Sequence, residues 1–360
     1  MKIGIDVRAL KETAGIGNYV KGFLYGLSQN KNDKNEYLLY GDSEITLPYQ
    51  TSKFKQRIFK ASEVFWYFKV WRDLRSQQVD YFYSTHSTIF SFFPLTKTIL
   101  IVHDLSAILF PQLHTFKVRI LAGKFFLTHA CRRAKFIFAD SEATRNDLEN
   151  IIPVSIGKIT VNYCGLSLDK KSDSDKNRFI DYNFPYILYL GTIEPRKNLV
   201  RLIEAYNLLF ENNETHPKLV IAGNTGWYYQ EVFQKVVELN LQNEVIFTGF
   251  VNETEKNFLF KNALFFVFPS IYEGFGLPVA EAMKRGIPVL TSGVSSLPEI
   301  VGKDYSFLVD PEDVSDIKSK LEKLLQLTPK EKEKLVLENK RKISQFSWEK
   351  NAVNWLKVIS

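Results

Sequence analysis

The residues best placed to do chemistry lie in Ser270-Ile271-Tyr272-Glu273-Gly274-Phe275-Gly276-Leu277-Pro278-Val279-Ala280-Glu281-Ala282-Met283. The segment directly follows a strand-like run, Phe265 to Phe268. Gly274 and Gly276 flank Phe275 and let the backbone bend close to a ligand. Pro278 suits a first helical position, and Gly286 with Pro288 beyond it ends that helix about two turns later. The N–H groups near Gly276 to Val279 then form a helix N-terminus, which favours phosphate. Glu273 lies in the loop and Glu281 about one turn into the helix. Both can face one crevice at different depths, one toward a sugar and one toward a ribose. The same residues would also make an ordinary strand–turn–helix with a capping glutamate.

Gly191-Thr192-Ile193-Glu194-Pro195-Arg196-Lys197-Asn198 also runs from strand to helix. Arg196 and Lys197 suit a diphosphate, one as a planar fork and the other as a point charge. Leaving-group charge developing on that diphosphate would be stabilised where it forms. Cations at a helix N-terminus oppose the dipole and need an anion beside them. Gly15-Ile16-Gly17 resembles the start of G-x-G-x-x-G, but Val20 stands at the third glycine position, so a dinucleotide fingerprint is poorly supported. A glycine loop covering a ligand and an ordinary turn both remain open there. His103-Asp104 ends another strand-like run, and His103 reads equally as a functional or a structural histidine. His86 is a weaker candidate, and His114, His129 and His216 read as structural. No spacing of His, Cys, Asp or Glu suggests a metal site.

These residues need a scaffold that gathers strand ends. Short apolar runs alternate with helical patterns, which predicts parallel α/β architecture. Strands are expected at Lys2 to Val7, Tyr37 to Tyr40, Tyr81 to Ser84, Thr98 to Val102 and Phe136 to Ala139. A second series follows at Tyr186 to Leu190, Lys218 to Ala222, Val245 to Thr248, Leu264 to Phe268, Pro288 to Thr291 and Ser306 to Val309. In open parallel sheets ligands bind outside the carboxyl ends of the strands. Polar residues 169–183 read as a linker, and the acids within them as solvated rather than metal-binding. Two basic aromatic stretches, Lys53 to Arg75 and Phe116 to Arg133, read as amphipathic helices. Their basic faces either are simply solvated or meet an anionic membrane or lipid-linked acceptor. The charged stretch Pro329 to Lys342 is helical in character. The tail Phe346 to Ile359, with Trp348, Trp355 and Leu356, needs a surface to pack on.

The 360 residues suggest about two domains. Lys and Arg number 47 against 40 Asp and Glu, a formal charge of +7, which serves phosphorylated ligands or anionic lipid as well as nucleic acid. Two cysteines, Cys131 and Cys164, exclude a disulfide scaffold and a four-cysteine zinc site. The N-terminus meets Asp6 before any apolar h-region, so it does not read as a signal peptide. No run of about 18 apolar residues suggests a membrane span. A cytoplasmic protein is expected, with peripheral contact to the inner membrane face left open.

Glu273 to Ala282 resembles the E-x7-E motif of glycosyltransferase family 4, and Gly191 to Asn198 resembles that family's phosphate loop. Gly15-Ile16-Gly17-Asn18-Tyr19, His103-Asp104-Leu105, Ser141-Glu142, Thr248-Gly249-Phe250-Val251, Leu297-Pro298-Glu299 and Phe346-Ser347-Trp348-Glu349-Lys350 match in order. The resemblance is strongest to bacterial mannosyltransferases that build O-antigen and other polysaccharides. It implies a GT-B fold: two facing Rossmann-like domains with a cleft between them and a C-terminal helix crossing back to the first. The expected division is an acceptor-binding domain at 1–168 with 346–360, the linker at 169–183, and a nucleotide-sugar domain at 184–345.

By position, the resemblance implies that Arg196 and Lys197, with Gly191, hold the diphosphate. Glu273 would contact sugar hydroxyls, and Gly274, Phe275, Gly276 and Leu277 would offer N–H groups. Glu281 would bind ribose, and backbone at Gly249, Phe250 and Val251 would meet the base. His103 would face the donor sugar, and Gly15 and Gly17 would line the phosphates or the acceptor. The implied activity is metal-independent, retaining transfer of a hexose, mannose from GDP-mannose, to a lipid-linked or oligosaccharide acceptor. No cofactor beyond the nucleotide-sugar substrate is implied. The alternatives are a UDP- or dTDP-sugar donor, a non-hydrolysing nucleotide-sugar epimerase of the same fold, and, from another class, a basic nucleic-acid-binding protein.

Overall fold

The computed structural model describes residues 1–11, 15–47, 49, 51–85, 87–94, 97–153, 156–166, 177–211 and 216–360, with the side chain of residue 117 excepted. His86 and the acidic residues of 169–176 lie outside the described residues. The chain divides into two compact units, Met1–Ser167 with Phe346–Ser360, and Leu168–Gln345.

The first unit is built on seven parallel strands: β1 (Lys2–Asp6), β2 (Glu36–Gly41), β3 (Phe54–Ile58), β4 (Tyr81–Ser84), β5 (Thr98–Val102), β6 (Phe136–Ala139) and β7 (Ile159–Val161). Their order is β3-β2-β1-β4-β5-β6-β7. The direction of winding reverses between β1 and β4. The second unit has β8 (Tyr186–Leu190), β9 (Lys218–Ala222), β10 (Val245–Gly249), β11 (Phe266–Phe268), β12 (Val289–Ser292) and β13 (Leu308–Val309). Their order, β10-β9-β8-β11-β12-β13, reverses between β8 and β11. The central strands are near-continuous apolar runs buried on both faces, because helices cover both sides of a parallel sheet.

The helices follow the apolar spacing. Leu199–Phe210 buries Leu199, Leu202, Ile203 and Tyr206, and Pro329–Ile343 opens on a capping box from Thr328 and Glu331. The final helix, Trp348–Ile359, belongs to the first unit. Trp355 packs edge-on to Phe23, with Tyr83 and Phe138 also beside it. A Cβ on Gly22 would stand 2.0 Å from the Trp348 ring, and one on Gly26 2.0 Å from the Trp348 carbonyl. Those two glycines let the first helix, Ile16–Gln29, come close enough to bury both tryptophans. Each such burial is worth about 2–3 kcal/mol.

Two sequence expectations are corrected. Phe54–Ile58 is a strand, not the start of a helix; its alternating Lys55 and Arg57 lie on an edge, where charge protects against stray pairing. The helix proper is Glu63–Ser76. The stretch Phe116 to Arg133 is two helices, Phe116–Leu121 and Lys124–Arg133, broken at Ala122-Gly123. Within residues 177–183, Phe179 is buried and Arg178 pairs with Glu255 at 2.6 Å, while Ile180, Asp181 and Asn183 are exposed.

Candidate functional site

In the second unit, the loops leaving β8 and β11 meet where the sheet reverses. Pro195 opens a 3-10 turn, Pro195–Lys197, and Asn198 follows in the left-handed region at φ 60° before the helix. The Asn198 amide donates to the carbonyls of Pro269 (3.1 Å) and Pro311 (2.6 Å), which anchors the turn against the β11 loop. The backbone adds a bond from Ile271 N–H to the Arg196 carbonyl at 2.9 Å. Lys197 Nζ thereby reaches Glu273 Oε1 at 2.5 Å, and Arg196 Nη1 reaches Glu273 Oε2 at 2.9 Å and the Tyr272 carbonyl at 2.8 Å. The other face of the Arg196 fork donates to Glu194 Oε1 from Nε (3.2 Å) and Nη2 (2.9 Å).

The anion that the two cations require is therefore the chain's own pair of carboxylates. Burial pushes the Glu273 carboxyl up, but Arg196 and Lys197 outweigh it and hold the group below the usual carboxylate range. Glu273 N–H donates to Ser295 Oγ at 3.0 Å, and Ser296 Oγ donates to the Glu273 and Phe275 carbonyls. Gly276 caps the helix Leu277–Lys284 at φ 101°, a conformation that needs glycine. Gly274, Phe275 and Leu277 share this turn. Gly191 follows β8 directly, and its N–H donates to the Ala222 carbonyl.

Glu281 does not join this cluster. One turn into the helix, it pairs with Lys256 at 3.1 Å and Arg285 at 3.5 Å. Gly249 ends β10 at φ 68°, and the Phe250 carbonyl accepts from Arg178 at 2.6 Å. Val251 follows, before the helix Glu253–Asn262.

In the first unit, His103 follows β5 and joins its neighbours. Nδ1 lies 2.6 Å from Asp140 Oδ2, just past β6, and Nε2 lies 2.8 Å from the Thr85 carbonyl, just past β4. A carboxylate and a carbonyl both accept, so this setting favours a charged ring that donates from both nitrogens. Burial disfavours that charge, yet Asp140 and the Thr85 carbonyl raise the His103 pKa above its ordinary value. Tyr19 meets the ring edge-on at 4.8 Å and shares a hydrogen bond with Tyr83. Thr85 Oγ1 donates in turn to the Asp6 carbonyl at the end of β1. Gly15 caps the helix Ile16–Gln29 at φ 52°, with Gly17 buried in its first turn.

Sequence reasoning missed Thr85, Glu194, Ser295 and Ser296 as members of these networks. A carboxylate two residues before a paired cation signals Glu194. Thr85 and the serines carry no signal beyond standing at strand ends. The two basic aromatic stretches, read separately, are joined in space. Phe68, Trp71 and Phe93 form one run of ring contacts and Phe92, Phe126 and Phe125 a second, the two meeting at the neighbouring residues Phe92 and Phe93. Phe65, Phe116 and Phe125 are about 70% exposed, at 67%, 74% and 72%. Arg119, Lys124, Arg132 and Arg133 are exposed beside them, and no acid occurs between Asp104 and Asp140.

Among the described residues no group of His, Cys, Asp or Glu is arranged to hold a metal ion, and no helix is long and apolar enough to cross a membrane. Cys131 and Cys164 are free and buried.

A family model described as "Glycosyl transferases group 1" matches residues 170–342. The O-antigen chain mannosyltransferase B of Escherichia coli is 32% identical over 261 residues, covering 71% of this chain and 68% of that protein. The serotype-specific mannosyltransferase WbdA of Escherichia coli is 31% identical over 244 residues, covering 64% of this chain but only 29% of that much longer protein. Among solved structures, Anabaena Alr3699/HepE in complex with UDP-glucose superposes with a TM-score of 0.76 at 18% identity, over 100% of this chain and 99% of that one.

Proposed function

The chain belongs to the group 1 glycosyl transferases, and from that footing we propose that it is a retaining mannosyltransferase that uses GDP-mannose in cell-surface polysaccharide synthesis. The observation that carries the reading is the Arg196–Lys197–Glu273 cluster at the reversal point of the second sheet. Two cations there meet the chemistry of a diphosphate, and a carboxylate meets that of sugar hydroxyls. The mannose assignment draws support from the names of the relatives. The bond from the sugar's anomeric carbon to the diphosphate breaks while the acceptor oxygen bonds to the same face. The acceptor proton passes to the departing phosphate oxygen. Neither step calls for a metal.

In this reading Gly191 and Gly274 to Leu277 offer backbone to the phosphates. Glu281 takes the ribose and Gly249 to Val251 the base. His103 faces the donor sugar, and Gly15 and Gly17 line the phosphates or the acceptor. The first unit receives a lipid-linked or oligosaccharide acceptor, and the second the donor. The exposed aromatic ridge with its exposed arginines and lysine supports peripheral contact with the anionic inner face of the cytoplasmic membrane, which is also where cytoplasmic localisation would put the enzyme. A UDP-sugar donor is the second reading, favoured by the shared fold with a protein solved with UDP-glucose.

The test compares GDP, UDP and dTDP in a thermal-shift experiment and then GDP-mannose in a transfer assay with anomeric analysis of the product. GDP alone should raise the melting temperature, and the new linkage should be α. Stabilisation by UDP alone removes the mannose reading.

A further inference from the structure

Two cations and two carboxylates share one largely buried space beyond β8 and β11, and their formal charges cancel. Lys197 and Arg196 both turn donors toward Glu273, and Arg196 also holds Glu194. A diphosphate brings further negative charge to donors that already face carboxylate oxygens. Either the added charge is repelled or a carboxylate leaves. The two carboxylates are held differently. Glu194 is two residues from Arg196 and packs at the start of the same turn. Glu273 comes from the other loop, and its oxygens bind across to the first. That loop's backbone is fixed separately, by Ser295 and Ser296. The Glu273 side chain can therefore rotate away without dismantling the turn that carries it.

A carboxylate and a phosphate present the same paired acceptor oxygens to a guanidinium fork or an ammonium. One can replace the other without leaving a buried cation bare, the costly alternative. We propose that Glu273 is the site's internal anion. With no donor present, its carboxylate occupies the phosphate position on Lys197 and Arg196. The arriving diphosphate displaces it, and the freed carboxylate becomes available to the sugar hydroxyls. This proposal rests on the reading that Arg196 and Lys197 receive the donor diphosphate. It adds that the site is self-occupied, so binding is an exchange of anions and Glu273 opposes the affinity it is otherwise expected to support.

The test titrates GDP, and separately pyrophosphate, into the full chain and into Glu273→Gln by calorimetry. Melting curves confirm that the variant is folded. With the competing anion neutralised, both probes should bind about tenfold more tightly, the order expected for one released charge-assisted hydrogen bond, while sugar transfer falls. If Glu273→Gln does not fold, Glu273→Asp carries the test. Its shorter carboxylate withdraws from Lys197 and should also tighten pyrophosphate binding. Equal or weaker binding of both probes by the folded variant overturns the proposal and leaves the diphosphate reading intact. Failure of the unaltered chain to bind either probe overturns both.

Discussion

The two units carry the same strand order around their reversal points and use those points differently. In the first unit the crevice between β1 and β4 is tied by a hydrogen bond from Thr85 to the Asp6 carbonyl. His103 extends the tie to β5 and β6, with a carbonyl on one nitrogen and Asp140 on the other. Asp6 itself is gripped by Arg8, which lies over the Trp66 ring at 3.6 Å. In the second unit the crevice between β8 and β11 also has carbonyl ties, from Ile271 N–H to Arg196 and from Asn198 to Pro269, but its two cations meet a side-chain carboxylate from the opposite loop, Lys197 and Arg196 against Glu273. Asp140 holds one imidazole that a carbonyl also holds, whereas Glu273 faces two cations that suit a diphosphate. Under the proposal that Glu273 yields to a diphosphate, one sheet end serves as a fixed platform and the other as an exchangeable anion site.

The strongest way to break this contrast is to remove a cation. Lys197→Ala should lower transfer by about a thousandfold, the scale for loss of one preorganised group on developing charge, with the fold intact by circular dichroism. Turnover near the unaltered level would end the site assignment. Next comes the platform. Gly26→Ala puts a methyl against the Trp348 carbonyl and should cost about 1–3 kcal/mol in denaturant unfolding. GDP binding by the second unit should survive at temperatures where the protein stays folded.

A subtler test uses pH, because the two ends carry opposite shifts. His103 is raised above its ordinary 6.5, so its stabilisation is complete below that value and fades as pH rises through the higher folded value. Glu273 is lowered below 4.5, so its stabilisation is complete above that value and fades as pH falls through the lower folded value. Melting temperature should therefore lose a His103 contribution on the alkaline side and a Glu273 contribution on the acid side. Asp140→Asn should shift the first loss toward neutral pH and leave the second in place. The smallest effect on stability is expected at the aromatic ridge. A Phe116→Ser, Phe125→Ser pair should change unfolding by no more than about 0.5 kcal/mol each yet reduce flotation with anionic vesicles. Unchanged flotation would remove the membrane contact.

The parallel α/β architecture is legible because central strands such as Tyr186–Leu190 and, after its first residue, Thr98–Val102 are apolar runs between helical patterns. The strands that sequence reading passed over, Phe54–Ile58 and Ile159–Val161, are both sheet edges. One is masked by alternating charge and the other has only three residues, too few for a period to show. At the candidate site, the need of Arg196 and Lys197 for an anion could be argued from the helix dipole. That the anion is Glu273, from a loop 76 residues away, needs the sheet order that puts β11 beside β8. Glu281 shows the converse. Its spacing from Glu273 gave no sign of the partners the structure shows, Lys256 and Arg285.

The central claim is that the Arg196–Lys197–Glu273 cluster receives the donor diphosphate, and calorimetric titration of GDP into the unaltered chain and into Lys197→Ala tests it most directly. The account predicts saturable binding by the unaltered chain, weakened at least tenfold in the variant, the scale of one charge-assisted contact. Equal affinity in the two proteins would contradict it.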